Sequence, residues 1–306
     1  MMNLQQARVA DPVLTEYARG YAQPNLVGST LFPVGTVPFG GGKVIEFGKE
    51  AFRRYNARRA PGSTTKEISF GYFGRQFNLV EDALDAIVPR ELAEDVQQVP
   101  EIDLGMRSTR VAMGALSLAL EIEQAAIATS PSSYDVNHQV NVSGTDKWTD
   151  TASKPITQLR HGIETVRQSI GIRPNVAVFS AGAFAAFEEN ASVVDRFKLS
   201  SPILTTQIVA SLLRLDKVVI AEAVYADDND TFVDVWGNNV ILAYAQLAAT
   251  GVEQPSFGYT YVLKGHPLVE PAYWDNKRRS WLYGVTYRRV PVQTGMSAGF
   301  LIQNPA

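Results

Sequence analysis

Cysteine is absent from all 306 residues. Disulfides, thiolate nucleophiles and every cysteine-based metal site are therefore excluded. Histidine is nearly as scarce: His138, His161 and His266 are the whole supply, and no two have the close spacing of a helical zinc motif. Long apolar runs are missing too. Stretches such as residues 240–245 fall far short of the ~20 residues a bilayer-spanning helix needs. The opening residues MMNLQQARVADPVL carry no basic start followed by an apolar core, so neither a signal peptide nor a membrane role is expected. Nor is there an excess of positive charge. The formal charge is −3, whereas a protein that wraps DNA by neutralising its backbone is basic overall. A role near DNA would have to be enclosure, not grip.

What is present is the balance of a globular chain, 45% hydrophobic and 19% charged, which argues against disorder. The length suffices for one large domain or two smaller ones. Residues 1–42 read as an extended arm. Pro12, Pro24, Pro33 and Pro38 punctuate it and Gly40, Gly41 and Gly42 end it, which leaves room only for a short helix near residues 12–20. Its apolar Leu26, Val27, Leu31, Phe32, Val34, Val37 and Phe39 need a surface to pack on.

Residues 43–80 read as a long hairpin. KVIEF enters and TKEISFGYF returns, with Ile68, Phe70 and Tyr72 alternating at period two. Pro61-Gly62 supplies turn chemistry near the tip. Over residues 43–75 eight bases stand against three acids. A two-stranded ribbon of this length has no core of its own and must lie on something else. The sign then reverses. Glu81, Asp82, Asp85, Glu91, Glu94, Asp95, Glu101 and Asp103 oppose only Arg90 over residues 81–103. The two blocks can pair within one chain or between copies.

Residues 100–129 predict one long helix. Pro100 suits a first turn, Glu101 and Asp103 complement the positive end, and Ser130-Pro131 stops it. Leu104, Val111, Ala115, Leu118, Ile122 and Ala126 fall near one face, which is expected to be the packed one. At ~1.5 Å per residue the helix would run roughly 43 Å and cross the whole subunit. Residues 150–257 then alternate as a mixed α/β unit: helix 156–170 stopped by Gly171, strand 175–180, helices 181–190 and 205–213, strand 217–225, a turn at 227–230 and strand 240–244. Residues 257–306 are strand-rich, and their Tyr273, Trp274, Trp281, Tyr283 and Tyr287 suit core and interface positions.

Three motifs hint at chemistry, and each lacks a partner. Gly295-Met296-Ser297-Ala298-Gly299 has the form of a nucleophile elbow, but no Asp, Glu or His follows it. Gly40-Gly41-Gly42-Lys43 lacks both the leading glycine and the trailing Ser/Thr of a phosphate loop, since Val37 and Val44 stand there. Asp227, Asp228, Asp230 and Asp234 could attract calcium, yet the EF-hand glycine and terminal glutamate are missing. No catalytic residue, cofactor or metal site is expected, and the chain is not expected to be an enzyme. A small-molecule enzyme built on residues 150–257 would need a polar constellation that the sequence does not contain. Arg53, Arg54, Arg58 and Arg59, with Phe52 and Tyr55 between them, read either as a nucleic-acid patch or as a charged tip that meets an acidic neighbour. The adjacent acidic block favours the second reading, because unlike charges register interfaces.

The order of arm, long hairpin, spine helix, α/β unit and terminal strands is similar over nearly the whole chain to the major capsid proteins of tailed phages, the Hong Kong 97-type fold. KVIEFGKEAFRRYNARRAPGSTTKEISFGYFGRQFNLVEDALDAIVP resembles the extended loop that feeds the spine, and DKVVIAEAVY with VWGNNVILAY resembles the axial-domain strands. The resemblance implies an α+β shell fold with an arm (1–42), an extended hairpin (43–80), a peripheral domain with the spine helix and peripheral sheet (81–149 and 258–306) and an axial α/β domain (150–257). It implies self-association as hexamers and pentamers in an icosahedral head around double-stranded DNA that is not read for sequence. The implied contact sets Arg53, Arg54, Arg58 and Arg59 of one copy over Glu81, Asp82, Asp85, Glu91, Glu94 and Asp95 of the next. Implied partners are a portal protein, a decoration protein and a scaffolding protein, the last a separate chain because arm-like residues begin almost at Met1. The implied location is the virion, after assembly in the bacterial host cytoplasm. Encapsulins, nanocompartment shells that enclose enzymes, share the fold and form the alternative; the long proline-punctuated arm favours the phage reading.

Overall fold

A computed structural model describes residues 11–19, 25–43, 58, 76–96, 103–197, 204–246 and 256–306. The arm contributes helix α1 (Pro12–Arg19) and strand β1 (Val34–Val37). β2 (Gly41–Lys43) and β3 (Gln76–Asn78) are the two ends of the expected hairpin, and β4 (Val80–Pro89) and α2 (Arg90–Val96) follow. The spine is α3 (Leu104–Thr129), then β5 (Gln139–Asn141), α4 (Pro155–Ile170), β6 (Val176–Ser180), α5 (Ala181–Glu189), α6 (Ala191–Phe197) and α7 (Thr206–Leu213). The remainder is β7 (Lys217–Ala221), β8 (Val224–Ala226), β9 (Phe232–Asp234), β10 (Asn239–Ala243), β11 (Gly258–Leu263), β12 (Leu268–Val269), β13 (Tyr273–Asp275), β14 (Ser280–Gln293) and β15 (Gly299–Gln303).

Two sheets organise these elements. In the six-stranded sheet β14 is the girder: one edge pairs with β4 across ten residues, Ser280↔Pro89 to Arg289↔Val80, and the other edge serves β11, β12 and β13 in succession. β1 joins this sheet parallel to β11. The five-stranded sheet runs β5-β15-β10-β6-β7. The sequence placed all of residues 258–306 with the spine helix, but β15 lies between β10 and β5 in the five-stranded sheet. Its near-continuous apolar run GFLI is the mark of a strand covered on both faces, and all four residues are buried. The expected strand at 217–225 is also broken, into β7 and β8, and β8 forms a separate ribbon with β9.

The five-stranded sheet separates two cores. On one side Phe179, Leu242 and Phe300 pack with Trp148, Leu159, Ile163, Phe187 and Leu213 from the loop before α4 and from α4, α5 and α7. On the other, Val178, Ile241 and Leu301 pack with Leu31 and Phe32 of the arm, Ala125 and Ala128 of α3, and Trp236. A third core lies between α3, α1 and the six-stranded sheet, where Met113 and Leu116 meet Leu14, Val285 and Tyr287.

The spine helix departs from expectation at its start and in its facing. Pro100 lies outside the described residues, and Asp103 is not in the first turn but is the N-cap, its carboxylate accepting from the N–H groups of Gly105 and Met106. The buried face carries Gly105, Ser108, Thr109, Ala112, Met113, Leu116, Glu121, Gln124, Ala125 and Ala128. The face read as packed is turned outward: Val111 is 66% exposed, Ala115 and Ala126 are exposed, and Leu104, Leu118 and Ile122 are half-buried. Small and hydrogen-bonding residues take the inner side because two sheets and the arm approach the helix closely there. By length and apolarity α3 would also suit a membrane, with a mean hydropathy of 1.4 over its best window, although polar residues interrupt its apolar stretches. Here its ten buried residues pack against the sheets and the arm.

Close approach also explains a glycine inside α4. A Cβ at Gly162 would stand 2.8 Å from Phe300 and 2.9 Å from Leu242. Intrinsic propensity favours alanine over glycine in a helix by about 1 kcal/mol, whereas overpacking a core costs about 1–3 kcal/mol. Gly162→Ala is predicted to lower stability, measured as a reduced urea midpoint at unchanged slope. A raised midpoint would mean that helix propensity outweighs packing at this position.

Candidate assembly surface

The expected hairpin is anchored where its strands begin. Gly41, Gly42 and Lys43 pair antiparallel with Asn78, Phe77 and Gln76, and Leu79 N–H donates to the Gly40 carbonyl at 2.8 Å. Phe77 stacks on Tyr261 with ring centroids 4.4 Å apart, inside a cluster with Leu79, Tyr259, Val37 and Val290. The β2–β3 ribbon is a separate two-stranded sheet, packed against the six-stranded one through Phe77. Of the four tip arginines, Arg58 is exposed, and Arg53, Arg54 and Arg59 lie outside the described residues. The triple glycine forms this strand root and precedes no helix.

The acidic block is divided between β4, with Glu81, Asp82 and Asp85, and α2, with Glu91, Glu94 and Asp95, and β14 pairs with β4. Much of its charge is balanced by residues that the sequence reading did not select. Glu81 is 3.1 Å from Arg288 and Asp82 is 3.0 Å from Arg289, both on β14. Glu94 pairs with Arg90 one turn earlier in α2. Asp85 is exposed beside the Tyr273 hydroxyl, 3.5 Å away, and Glu91 is exposed. Neither makes an ion pair among the described residues. The side chain of Asp95 and the whole of Glu101 lie outside those residues, and Asp103 is used as a helix cap. Of the five expected contact acids whose side chains are described, Asp85 and Glu91 thus present the least compensated charge.

Beneath this surface Arg289 is fully buried and ties three elements together. It binds Asp82 of β4, Glu123 of α3 at 2.9 Å and the Leu116 carbonyl of α3 at 3.1 Å, with its guanidinium 5.3 Å from the Tyr287 ring centroid. Burial pushes Glu123 up from the ordinary carboxylate range, partly offset by Arg289, while Asp82 pushes it further. The guanidinium is buried while the two carboxylates reach solvent, and its Nε lacks a hydrogen-bond partner among the described residues; the cluster links β14 to β4 and α3.

One turn away on α3, Glu121 holds the arm. Its Oε1 accepts from Val27 N–H at 2.9 Å, Gly28 N–H at 3.0 Å and Trp236 Nε1–H at 2.7 Å, and its Oε2 accepts from Gly28 N–H at 2.9 Å. A Cβ at Gly28 would lie 2.0 Å from Gln124 Oε1 and 2.8 Å from Glu121 Oε2, so only glycine lets the backbone reach the carboxylate. Gln124 donates to Thr260 Oγ1, which donates to the Phe32 carbonyl. A signal for Glu121 was present: an acid set directly after the run LSLAL and before Ile122 implies a partner across the packing.

The motifs with a chemical look have structural surroundings. Ser297 sits in a short 3-10 turn before β15 and donates to Asp135 at 2.7 Å. His138 has Nδ1 against the Gly299 carbonyl and Nε2 against Ser169 Oγ, so both ring nitrogens are already engaged. Asp227 accepts from the N–H groups of Asn229 and Thr231 and shapes its own turn, which holds that carboxylate below its usual range. Among the described residues no cluster of three or more His, Asp or Glu is placed to hold a metal.

An arm clamped to a spine helix, the β2–β3 ribbon packed on one sheet and a second α/β sheet beyond it define the class: a viral shell subunit with the Hong Kong 97-type fold. Residues 124–287 match the family model described as phage major capsid protein E. The major capsid protein of Burkholderia phage BcepMu is 33% identical over 99% of this chain and 98% of that protein. The crystal structure of a phage-related protein from Bordetella bronchiseptica is 44% identical, covers 98% of both chains and superposes with a TM-score of 0.83. The chain belongs to the phage major capsid protein family, and its role is structural. An encapsulin complex from Synechococcus elongatus superposes with a TM-score of 0.58 at 12% identity, over 92% of this chain and 88% of that one, a likeness of fold alone.

Burial pushes Glu121 up from the ordinary carboxylate range, and its hydrogen bonds to Val27, Gly28 and Trp236 only partly offset this. With the folded value above the unfolded one, the folded chain binds the proton first. Stability at this site is therefore greatest below the ordinary carboxylate value and declines as pH rises through the raised one. Glu121→Gln is predicted to remove that slope, seen as a flatter urea midpoint between pH 4 and 7 than the wild type shows. Equal slopes in the two proteins would mean that Glu121 does not titrate there.

Proposed function

We propose that many copies of this chain, arranged as hexamers and pentamers, close into the icosahedral head of a tailed phage around double-stranded DNA. The observation that carries this is the hairpin root. Residues 44–75 lie between the paired positions Lys43 and Gln76 of the separate β2–β3 ribbon. They carry seven bases against three acids, while β4 exposes Asp85 and α2 exposes Glu91. Arg53, Arg54, Arg58 and Arg59 of one copy lie over the acidic stretch of the next, where Asp85 and Glu91 carry most of the attraction and Glu81, Asp82, Glu94 and Asp95 the remainder. The chain catalyses nothing: Ser297 has a carboxylate beside it, and His138 is committed elsewhere.

The net charge of −3 opposes a polyanion at long range, so DNA is driven in from outside, through a portal and by a motor that this chain, without a phosphate loop, does not supply. A separate scaffolding protein sets the shell's size, and a decoration protein covers its outside. Assembly takes place in the host cytoplasm, and the finished protein resides in the virion.

Reversing Arg53, Arg54, Arg58 and Arg59 to glutamate is predicted to leave a folded subunit that closes no shells. Circular dichroism checks the fold and electron microscopy of the purified particles checks closure. Shells at wild-type yield would show that the arginine tip is not an assembly contact. Isolated capsomers are predicted to bind two unrelated duplexes weakly and equally at physiological salt; tight binding that distinguished them would make the tip a DNA reader instead.

A further inference from the structure

The helices that cover one side of the five-stranded sheet differ in charge from end to end. At the β7 edge, α5, the start of α7 and the end of β7 enclose an open groove of about 380 Å³. Phe184, Ala185, Leu204 and Ile220 supply apolar walls, and Glu188 and Glu222 line it with like charge. Burial raises Glu188 above the ordinary carboxylate range, with Glu189 adding to the effect. A cation seated there would relieve that cost.

At the other end of the same layer α4 packs on β15 and β10 through Ile156, Leu159, Ile163 and Val166. Its outer side exposes Lys154, Arg160 and Arg167, and Arg173 follows in the next loop. Glu164 is the acid on that side, and Arg167 already pairs with it. Lys154, Arg160 and Arg173 form no ion pair among the described residues. One end of the layer is therefore acidic with apolar walls, and the other is basic, on the same rigid unit.

We propose that the groove formed by α5, α7 and β7 receives the basic outer side of α4 from a second copy of this chain, head to tail, as the contact that closes a capsomer ring. This rests on the reading of the chain as a repeating shell subunit. Charge complementarity selects the occupant. Two grooves facing each other would set four carboxylates together, and two α4 faces would set the bases together, so a symmetric pairing of like surfaces is repelled. A heterologous contact joins unlike surfaces, and such contacts generate rings when the rotation closes. Ion pairs of this kind chiefly set register and rate of association, and the apolar walls exclude water around them.

The test uses two full-length variants. The first, Glu188→Lys with Glu222→Lys, makes both ends basic; the second, Arg160→Glu with Arg173→Glu, makes both ends acidic. Each alone is expected to sediment as the 33.5 kDa monomer under conditions in which the wild type associates, with thermal midpoints unchanged. Mixed in equal amounts they are expected to associate, because alternating copies restore every contact in a ring with an even number of members. Pure variants that associate like the wild type would overturn the contact. A mixture that stays monomeric would also overturn it, since both surfaces would then matter without meeting. Should the lysine variant fail to fold, Glu188→Gln with Glu222→Gln replaces it. Association should then lose the weakening by salt that the wild type shows, and an unchanged salt dependence would count against the groove. A wild type that forms neither rings nor shells would instead overturn the shell reading itself.

Discussion

The subunit depends on one buried carboxylate. Glu121 stands on the spine helix where the arm and the loop carrying Trp236 converge, and it accepts hydrogen bonds from both. Leaving a buried donor unsatisfied costs about 1–3 kcal/mol, so three donors on one carboxylate make its position hard to vary. With the arm fixed at Val27 and Gly28, Leu31 and Phe32 reach the core of the five-stranded sheet, and β1 is delivered to the edge of β11 in the other sheet. Both sheets thus take their position relative to α3 from the same few atoms.

Arg289 is the counterpart of Glu121 for the six-stranded sheet. Each is a charged side chain in an apolar setting, and each is held by partners from different elements. Glu121 has neutral donors, whereas Arg289 has two carboxylates and a helix carbonyl. The long strand β14, paired on both edges, carries Arg289 from β4 to the helix. The hairpin root rests on the same strand through β3 and on β11 through Phe77 and Tyr261. The surfaces proposed to meet other copies are thus mounted on the most heavily paired part of the chain.

Local signals carried most of the fold. The triple glycine and Pro38 marked the hairpin root, Ser130-Pro131 ended the spine, and Gly171 ended α4 in the left-handed conformation. Those features act within a few residues and are legible for that reason. The inward face of α3 was not legible, because apolar periodicity finds the greasier side and here the closer side is packed, through Gly105, Ala112, Glu121 and Gln124. The place of β15 was equally hidden: an apolar strand states that it is covered, not which sheet covers it. Of the contact surface, the acidic block was visible as composition. That Arg288 and Arg289 balance Glu81 and Asp82 was not, since those pairs span some two hundred residues of sequence and follow from the register of β4 on β14.

The central place of β15 has a consequence for the order in which the molecule is made. It is the last strand in sequence, yet β5 and β10 both hydrogen-bond to it, and Phe300 and Leu301 enter the cores on opposite sides of that sheet. Until those residues have been synthesised, β10 has a bare edge, β5 has nothing to pair with, and α4 lacks the floor on which it packs. Distant pairings of this kind are reached late, after large loops have closed. A nascent chain therefore cannot present a finished α/β layer to its neighbours until β15 has been made. In a protein made in many copies, the position of one strand keeps partial chains from offering that layer to the growing assembly.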